Sequence, residues 1–201
     1  METNWVVDVV APAHLQSAQA QQLLHRAKAG ELMIFVPAIC LVEARETVPR
    51  RFASRSRSAD LRKFVKWARN QEQLSAEEAK TAFRVFEQFD CLVNRELTQV
   101  SERLDELAKH SGMNIFSLSE SMLERQVVIG SMGLSLKPYD LAILAAILVK
   151  AEELREAGYA ELGFCELDSD LQPWDRTGNR KPTLSHLYAE AQIRVYGDFL
   201  V

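Results

Sequence analysis

Four carboxylates stand at points of the sequence where the neighbouring residues are apolar. Asp8 interrupts a Val-rich run near the amino terminus, and Glu43 lies inside an apolar stretch with helical spacing. Asp140 falls in the predicted first turn of a strongly apolar helix, and Asp168 follows the last apolar run. Because a buried carboxylate without a partner costs free energy, such side chains need a cation, hydrogen-bond donors or contact with water.

Carboxylates gathered by folding would repel one another at neutral pH unless protons or a divalent cation neutralised them. Hard oxygen ligands favour Mg²⁺ or Mn²⁺ over zinc, since the 4 histidines have no ligand spacing. A bound Mg²⁺ can generate hydroxide, orient a scissile phosphate and stabilise the leaving oxygen. The residue types therefore predict phosphodiester hydrolysis at a metal site.

A basic segment follows Glu43 almost directly. Residues 45–69 contain nine basic and two acidic side chains, a net charge of +7 in a chain whose total is −4. Such a segment could hold the phosphates of a nucleic acid beside the metal site, but a solvated helix face and a flexible loop explain it equally well. The candidate nucleic-acid-binding residues are Arg50, Arg51, Arg55, Arg57, Arg62, Lys63 and Lys66.

Alternating strand and helix patterns would position these side chains. The run 4–10 predicts a strand buried on both faces, and the segment 12–29 predicts a helix that Gly30 ends. A strand over 32–36 and a helix over 38–48 repeat this order. The alternation is typical of an α/β protein, in which strand ends and helix starts meet at one edge of a parallel sheet. All four carboxylates are therefore expected at that edge.

The other elements follow from similar local signals. Alternating Arg and Ser residues predict a loop over 49–58, and the spacing of Ser75 and Glu78 predicts a capped helix start. Further strands are predicted at 114–118, 161–166 and 192–196, and further helices at 60–69, 75–110 with a break near 90–94, 119–130, 139–156 and 184–189.

Length and composition set broad limits on the protein. A chain of 201 residues can bury the core of one domain, so we predict a single domain over 1–201 with a basic, helical insertion at about 49–111. The 3 cysteines lack a pairing or metal-binding spacing and are expected to be reduced. The apolar runs are too short to span a bilayer. We therefore expect a soluble, cytoplasmic protein without membrane association.

Four stretches, taken in order, resemble the PIN-domain family. They are the apolar run that contains Asp8, the segment Leu41-Val42-Glu43-Ala44, the segment 137–146 and the segment 164–171. The strongest part is Asp140 followed by the run Leu-Ala-Ile-Leu-Ala-Ala. The likeness covers most of the chain outside residues 49–111.

The resemblance implies a three-layer α/β/α sandwich with a central, mainly parallel sheet. It also implies a Mg²⁺- or Mn²⁺-dependent endoribonuclease that cleaves single-stranded or structured RNA. By matching position, the catalytic and metal-binding carboxylates would be Asp8, Glu43, Asp140 and Asp168, with Asp170 as a nearby additional metal ligand. Since the family includes the toxins of toxin–antitoxin pairs, an antitoxin-like protein inhibitor and a homodimer are open partners besides RNA.

Two features depart from the family pattern. Val10 stands where members often carry a small polar residue, two places after the first Asp, so one hydrogen bond near the metal would be missing. The stretch 49–111 is also longer than in the compact toxins. Both features favour the alternative of a catalytically inactive PIN-like module that binds RNA or a protein. A phosphatase-type hydrolase is less favoured, since Val10 also stands where those enzymes carry a second Asp.

Overall fold

The computed structural model describes the backbone of residues 1–201 and every side chain except those of residues 55–57. Helices contain 61% of the residues and strands only 8%, so the chain is predominantly helical. The helices are α1 (Thr3–Val10), α2 (Ala18–Lys28), α3 (Ala38–Arg51), α4 (Ser54–Asn70), α5 (Ala76–Thr98), α6 (Val100–Ala108), α7 (Glu120–Gly130), α8 (Pro138–Glu156) and α9 (Pro182–Glu190), with a short 3₁₀ helix at Ala13–Leu15. The strands are β1 (Ile34–Pro37), β2 (Met113–Phe116), β3 (Gly163–Cys165) and β4 (Arg194–Tyr196).

The predicted three-layer sandwich is wrong, because the described backbone forms two small sheets in place of a central one. β1 pairs in parallel with β2, with Ile34 opposite Met113 and Pro37 opposite Phe116. β3 pairs in parallel with β4, and each sheet has two strands. Helices connect the two strands of each pair. The strand and helix alternation is therefore local and does not extend into one sheet.

The segment 4–10 is the main reason for this difference, because it is helical and not a strand. In α1, Trp5, Val6, Val7, Val9 and Val10 are all buried, so the helix is covered on most sides. A short apolar run without alternation has the same appearance in a buried strand and in a buried helix. The Glu2 side chain caps this helix, since it accepts a hydrogen bond of 2.6 Å from the backbone N–H of Asn4.

The predicted loop over 49–58 is also wrong. α3 continues through Pro49 to Arg51, and α4 begins at Ser54, so the two helices are separated by Phe52 and Ala53 alone. Small serines allow this close packing: Ser54 and Ser58 are buried, and Ser54 Oγ lies 3.4 Å from Asn94 Oδ1 of α5. The backbone at Arg55 and Arg57 belongs to α4, but their side chains lie outside the described part of the structure.

Predictions that rest on a local start signal are confirmed. Ser75 caps α5 through a reciprocal box with Glu78, and Ser119 caps α7. α8 has Pro138 in its first turn, as its sequence indicates. The expected break in the long helical segment occurs at Gln99, several residues after the predicted position. The strands predicted near 114–118, 161–166 and 192–196 are present but shorter.

The core surrounds α8. Its residues 142–149 are buried, with Ile143, Leu144 and Leu148 in the main apolar cluster and Ala146 and Val149 in a smaller cluster beside α7. A helix that is apolar on every side must be enclosed by other elements. This enclosure fixes the direction of α8 and therefore the position of Asp140 at its start. Among the described residues, no helix is at once long enough and apolar enough to cross a membrane.

Candidate functional site

Three separate parts of the chain deliver carboxylates to one region of the molecule. Glu43 lies in α3, which starts directly after β1, and Asp140 lies in the first turn of α8. Asp168 and Asp170 lie in the turn that follows β3. We refer to Glu43, Asp140, Asp168 and Asp170 as the acidic cluster. The sequence predicts Glu43, Asp140 and Asp168 as site residues from their places in the predicted elements, and the family resemblance adds Asp170.

Asp140 lies within electrostatic range of the other three carboxylates of the acidic cluster. Burial raises the pKa of Asp140, and the charge of Asp168 raises it further. Lys137 lowers the pKa of Asp140, whereas Glu43 and Asp170 add smaller increases. The Oδ2 atom of Asp140 is buried and has no hydrogen-bond partner among the described residues. The acidic cluster thus contains an uncompensated oxygen, which a bound cation would satisfy.

Two further carboxylates were not candidates from the sequence. Glu2 is 3% exposed and Glu166 is fully buried, which is unusual for glutamate. Glu2 caps α1, and Oε1 of Glu166 accepts a 2.5 Å hydrogen bond from the backbone N–H of Asp168. The other oxygens, Glu2 Oε1 and Glu166 Oε2, are buried without a partner in the described part of the chain. Both side chains therefore have unused capacity for a proton or a cation.

Burial raises the pKa of Glu166 to about 10, and the nearby charge of Glu2 contributes to this increase. Burial likewise raises the pKa of Glu2 to about 7. Two carboxyl groups this close to each other in a buried setting cannot both ionise at low cost. Burial and mutual repulsion therefore favour a proton on this buried pair, whereas the charge of the Met1 ammonium opposes it.

The buried pair is continuous with the acidic cluster. The charge of Asp168 raises the pKa of Glu166, so these two groups also interact. On the other side, the Thr3 hydroxyl donates a 2.5 Å hydrogen bond to Oε2 of Glu43. The start of α1 therefore contacts both groups of carboxylates. Glu166 had a weak sequence signal in following the apolar pair Phe164-Cys165, whereas Glu2 becomes informative only once residues 3–10 are known to be helical.

The structure does not bring Asp8 to the acidic cluster. Its side chain is half-buried near the opposite end of α1, with Oδ1 3.8 Å from Nη1 of Arg51. Burial raises the pKa of Asp8, and Arg51 lowers it. Asp8 also lines a separate cavity of about 490 Å³ with Leu15, Arg51 and Phe52. Asp8 is five positions after Thr3 in α1, a rise of about 7.5 Å along the helix.

The candidate nucleic-acid-binding residues have different surroundings. Arg62 donates a 2.8 Å hydrogen bond to Asp90 and lies over the ring of Phe86, so it connects α4 to α5. Arg50, Arg51, Lys63 and Lys66 are all exposed, and Arg51 also pairs with Asp8. The side chains of Arg55 and Arg57 are outside the described residues. Exposed cations are therefore present at the end of α3 and along α4.

Carboxylate oxygens suit a hard divalent cation better than zinc, and one oxygen of the acidic cluster, Asp140 Oδ2, has no partner among the described residues. Within the described side chains, however, no three Asp, Glu, His or Cys residues lie close enough together to hold one ion. The carboxylates that could contribute ligands to a cation are those of the acidic cluster, and within the described side chains no three of them converge on one point.

Comparison with known proteins gave no match to a family model, to a curated protein or to a solved structure. The resemblance to PIN domains therefore depends on the sequence motifs alone, and the function has to be argued from the site.

Proposed function

We propose that this protein is a Mg²⁺- or Mn²⁺-dependent endoribonuclease. The observation that carries this proposal is the acidic cluster, in which Asp140 at the start of α8 has a buried Oδ2 atom without a partner among the described residues and feels the charges of carboxylates from α3 and from the turn after β3. A divalent cation would remove both the repulsion and the unsatisfied oxygen. The exposed cations of α3 and α4 provide the positive charge that an RNA backbone requires.

When bound, the cation would lower the pKa of a water molecule and polarise the scissile phosphate. The chain's own residues hold the carboxylates in place for this step. The Thr3 hydroxyl fixes Oε2 of Glu43, and the backbone N–H of Asp170 donates a 2.8 Å hydrogen bond to Oδ1 of Asp168. Asp140 is anchored at the start of the buried helix α8.

The test is cleavage of a single-stranded RNA with Mg²⁺, with Mn²⁺ and with EDTA. We expect cleavage with either metal and none with EDTA, and we expect Asp140→Asn and Glu43→Gln to lower the rate by about 100-fold or more. Asp105→Asn is the matched control, since Asp105 is exposed on α6 and its weak pair with Arg45 involves none of the candidate RNA-binding residues. Wild-type cleavage that persists in EDTA, or equal rates in wild type and Asp140→Asn, would overturn the proposal.

The variant Asp8→Asn tests a point on which the structure and the family resemblance give different expectations. The resemblance makes Asp8 a metal ligand, but in the structure Asp8 contacts Arg51 and lies away from the acidic cluster. We therefore expect Asp8→Asn to retain most of the wild-type rate, whereas Asp140→Asn does not. A loss with Asp8→Asn as large as that with Asp140→Asn would assign Asp8 to the site after all.

A catalytically inactive RNA-binding module is the second candidate. It is favoured by the finding that no three metal-binding side chains of the described set stand in position around one point. Thermal unfolding with increasing Mn²⁺ distinguishes the two candidates, because a cation that binds the folded state raises its melting temperature by mass action. The nuclease requires a saturable increase that Asp140→Asn reduces, and the inactive module predicts equal curves for both proteins.

A further inference from the structure

α4 has an apolar surface that no other described element covers. Leu61, Phe64 and Trp67 are 58%, 57% and 50% exposed, which is high for side chains of this size. We refer to Phe64 and Trp67, together with the neighbouring Leu61, as the aromatic surface of α4. The rings of Phe64 and Trp67 pack against each other, with centroids 5.9 Å apart. The two rings therefore form one continuous exposed platform.

The exposure of these residues follows from how α4 is held. Its buried side chains include Ser58, Val65 and Ala68, which lie on the face that packs against α5. Phe64 and Trp67 are three residues apart on a different face of the helix. The contact between α4 and α5 is therefore complete without them, and packing within the described residues does not explain two aromatic rings at these positions.

Cations adjoin the platform. Lys63 precedes Trp67 by one helical turn, and Lys66 is three residues after Lys63, so the surface passes around the helix from Phe64 to Trp67, Lys63 and Lys66. Lys63 pairs with Asp60 at 3.2 Å, but both side chains are largely exposed and water screens the pair. Aromatic rings beside cations match a single-stranded nucleic acid, whose bases stack on rings while its phosphates contact cations.

We infer that the aromatic surface of α4 binds single-stranded RNA by stacking bases on Phe64 and Trp67, with phosphates on Lys63 and Lys66. This inference rests on the proposed function, since it names the part of the substrate that the nuclease would hold outside its acidic cluster. A second copy of the chain fits this surface less well. If two such surfaces faced each other, Lys63 and Lys66 of one copy would lie near Lys63 and Lys66 of the other, and these like charges would repel.

The experiment is RNA binding by the full chain in EDTA, measured by fluorescence anisotropy with a labelled oligouridylate. We expect Trp67→Ala and Phe64→Ala each to weaken binding about tenfold, and Trp67→Phe to keep it within about twofold. Val127→Ala is the control, since Val127 is an exposed apolar residue on α7. Inorganic polyphosphate is the base-free probe, and its affinity should not change with Trp67→Ala.

Three outcomes would overturn the inference. These are unchanged RNA binding in Trp67→Ala and Phe64→Ala, an equal loss for RNA and for polyphosphate, and a loss that accompanies dissociation of a dimer in sedimentation. Cleavage by the wild type with Mg²⁺, measured separately, keeps the two proposals apart. If Trp67→Ala and Phe64→Ala weaken RNA binding but the wild type does not cleave RNA, only the nuclease proposal is rejected. If the wild type cleaves RNA but neither variant changes binding, only the stacking proposal is rejected.

Discussion

Glu166 is a side chain whose charge the fold disfavours. It is completely buried, one of its oxygens has no partner among the described residues, and Glu2 lies close by. Its neutral form avoids the cost of burying a charge, so the folded protein holds a proton that the unfolded chain releases. Stability must therefore depend on pH through this residue.

The direction of this dependence follows from the pKa of Glu166, which burial raises from 4.5 to about 10. Between these values the folded state binds the extra proton, so the free energy of unfolding falls as pH rises, by up to about 1.4 kcal/mol per pH unit. Below the lower value both states are protonated and the full stability is present. We expect Glu166→Gln to be more stable than wild type at neutral pH and to show a flatter pH profile.

Urea unfolding in EDTA from about pH 5 to about pH 9 measures this effect. Glu161→Gln serves as the control, because Glu161 is exposed and lies on the same segment. Parallel pH profiles for wild type and Glu166→Gln would show that Glu166 is charged in the folded protein at neutral pH.

The sequence alone was more informative about some acidic residues than about others. Asp140 and Asp168 could be identified because a helix start and a strand end are readable from local patterns. The composition of residues 4–10 predicts a buried strand, and that prediction places Asp8 at the same site. Once this segment is a helix, Asp8 faces Arg51, and the start of the same helix brings Glu2 to Glu166. The conformation of residues 4–10 therefore decides which carboxylates lie near the site.

At the scale of elements, α5 depends on a well-defined start. Ser75 Oγ accepts a 3.2 Å hydrogen bond from the backbone N–H of Glu78, and Oε2 of Glu78 accepts one of 2.8 Å from the backbone N–H of Ser75. Two helix-terminal N–H groups are satisfied in this way. Helix starts of this kind depend on residues three positions apart, which explains why the sequence predicts them well.

We expect Ser75→Ala to lower the free energy of unfolding by about 1 kcal/mol, because it leaves the Glu78 N–H without its partner. Thr81→Ala is the matched control within α5: Thr81 is exposed, and alanine favours the helix more than threonine does. Urea denaturation monitored by circular dichroism gives both values. An equal change in the two variants would show that the Ser75 cap contributes nothing to stability.

At the scale of the whole molecule, the fold class was the least predictable property. A sheet depends on pairing between strands far apart in the chain, such as β1 and β2, which four helices separate. Local patterns indicate that such strands exist, and these strands are present. They do not indicate how many strands join, because that number depends on whether an apolar segment such as 4–10 becomes a strand or a helix.

Charge is unevenly distributed along the chain. The net charge of the chain is −4, and residues 45–69 alone carry +7. The remaining residues, which include the acidic cluster, therefore carry −11. This separation fits a protein that holds cations at one place and a polyanion at another. It also predicts that RNA binding is driven by the release of counterions and weakens as salt increases.

The salt dependence can be assigned to particular residues. In EDTA, the logarithm of the RNA association constant should fall linearly with the logarithm of the salt concentration. Lys66→Ala should reduce the slope by about 0.7, the value for one phosphate contact to a single strand. Trp67→Ala should weaken binding with the slope unchanged, because stacking releases no counterion. Lys28→Ala, at an exposed position of α2, should change neither. If Lys28→Ala and Lys66→Ala reduced the slope equally, the RNA would respond only to overall charge, and the basic segment would have no special part in binding.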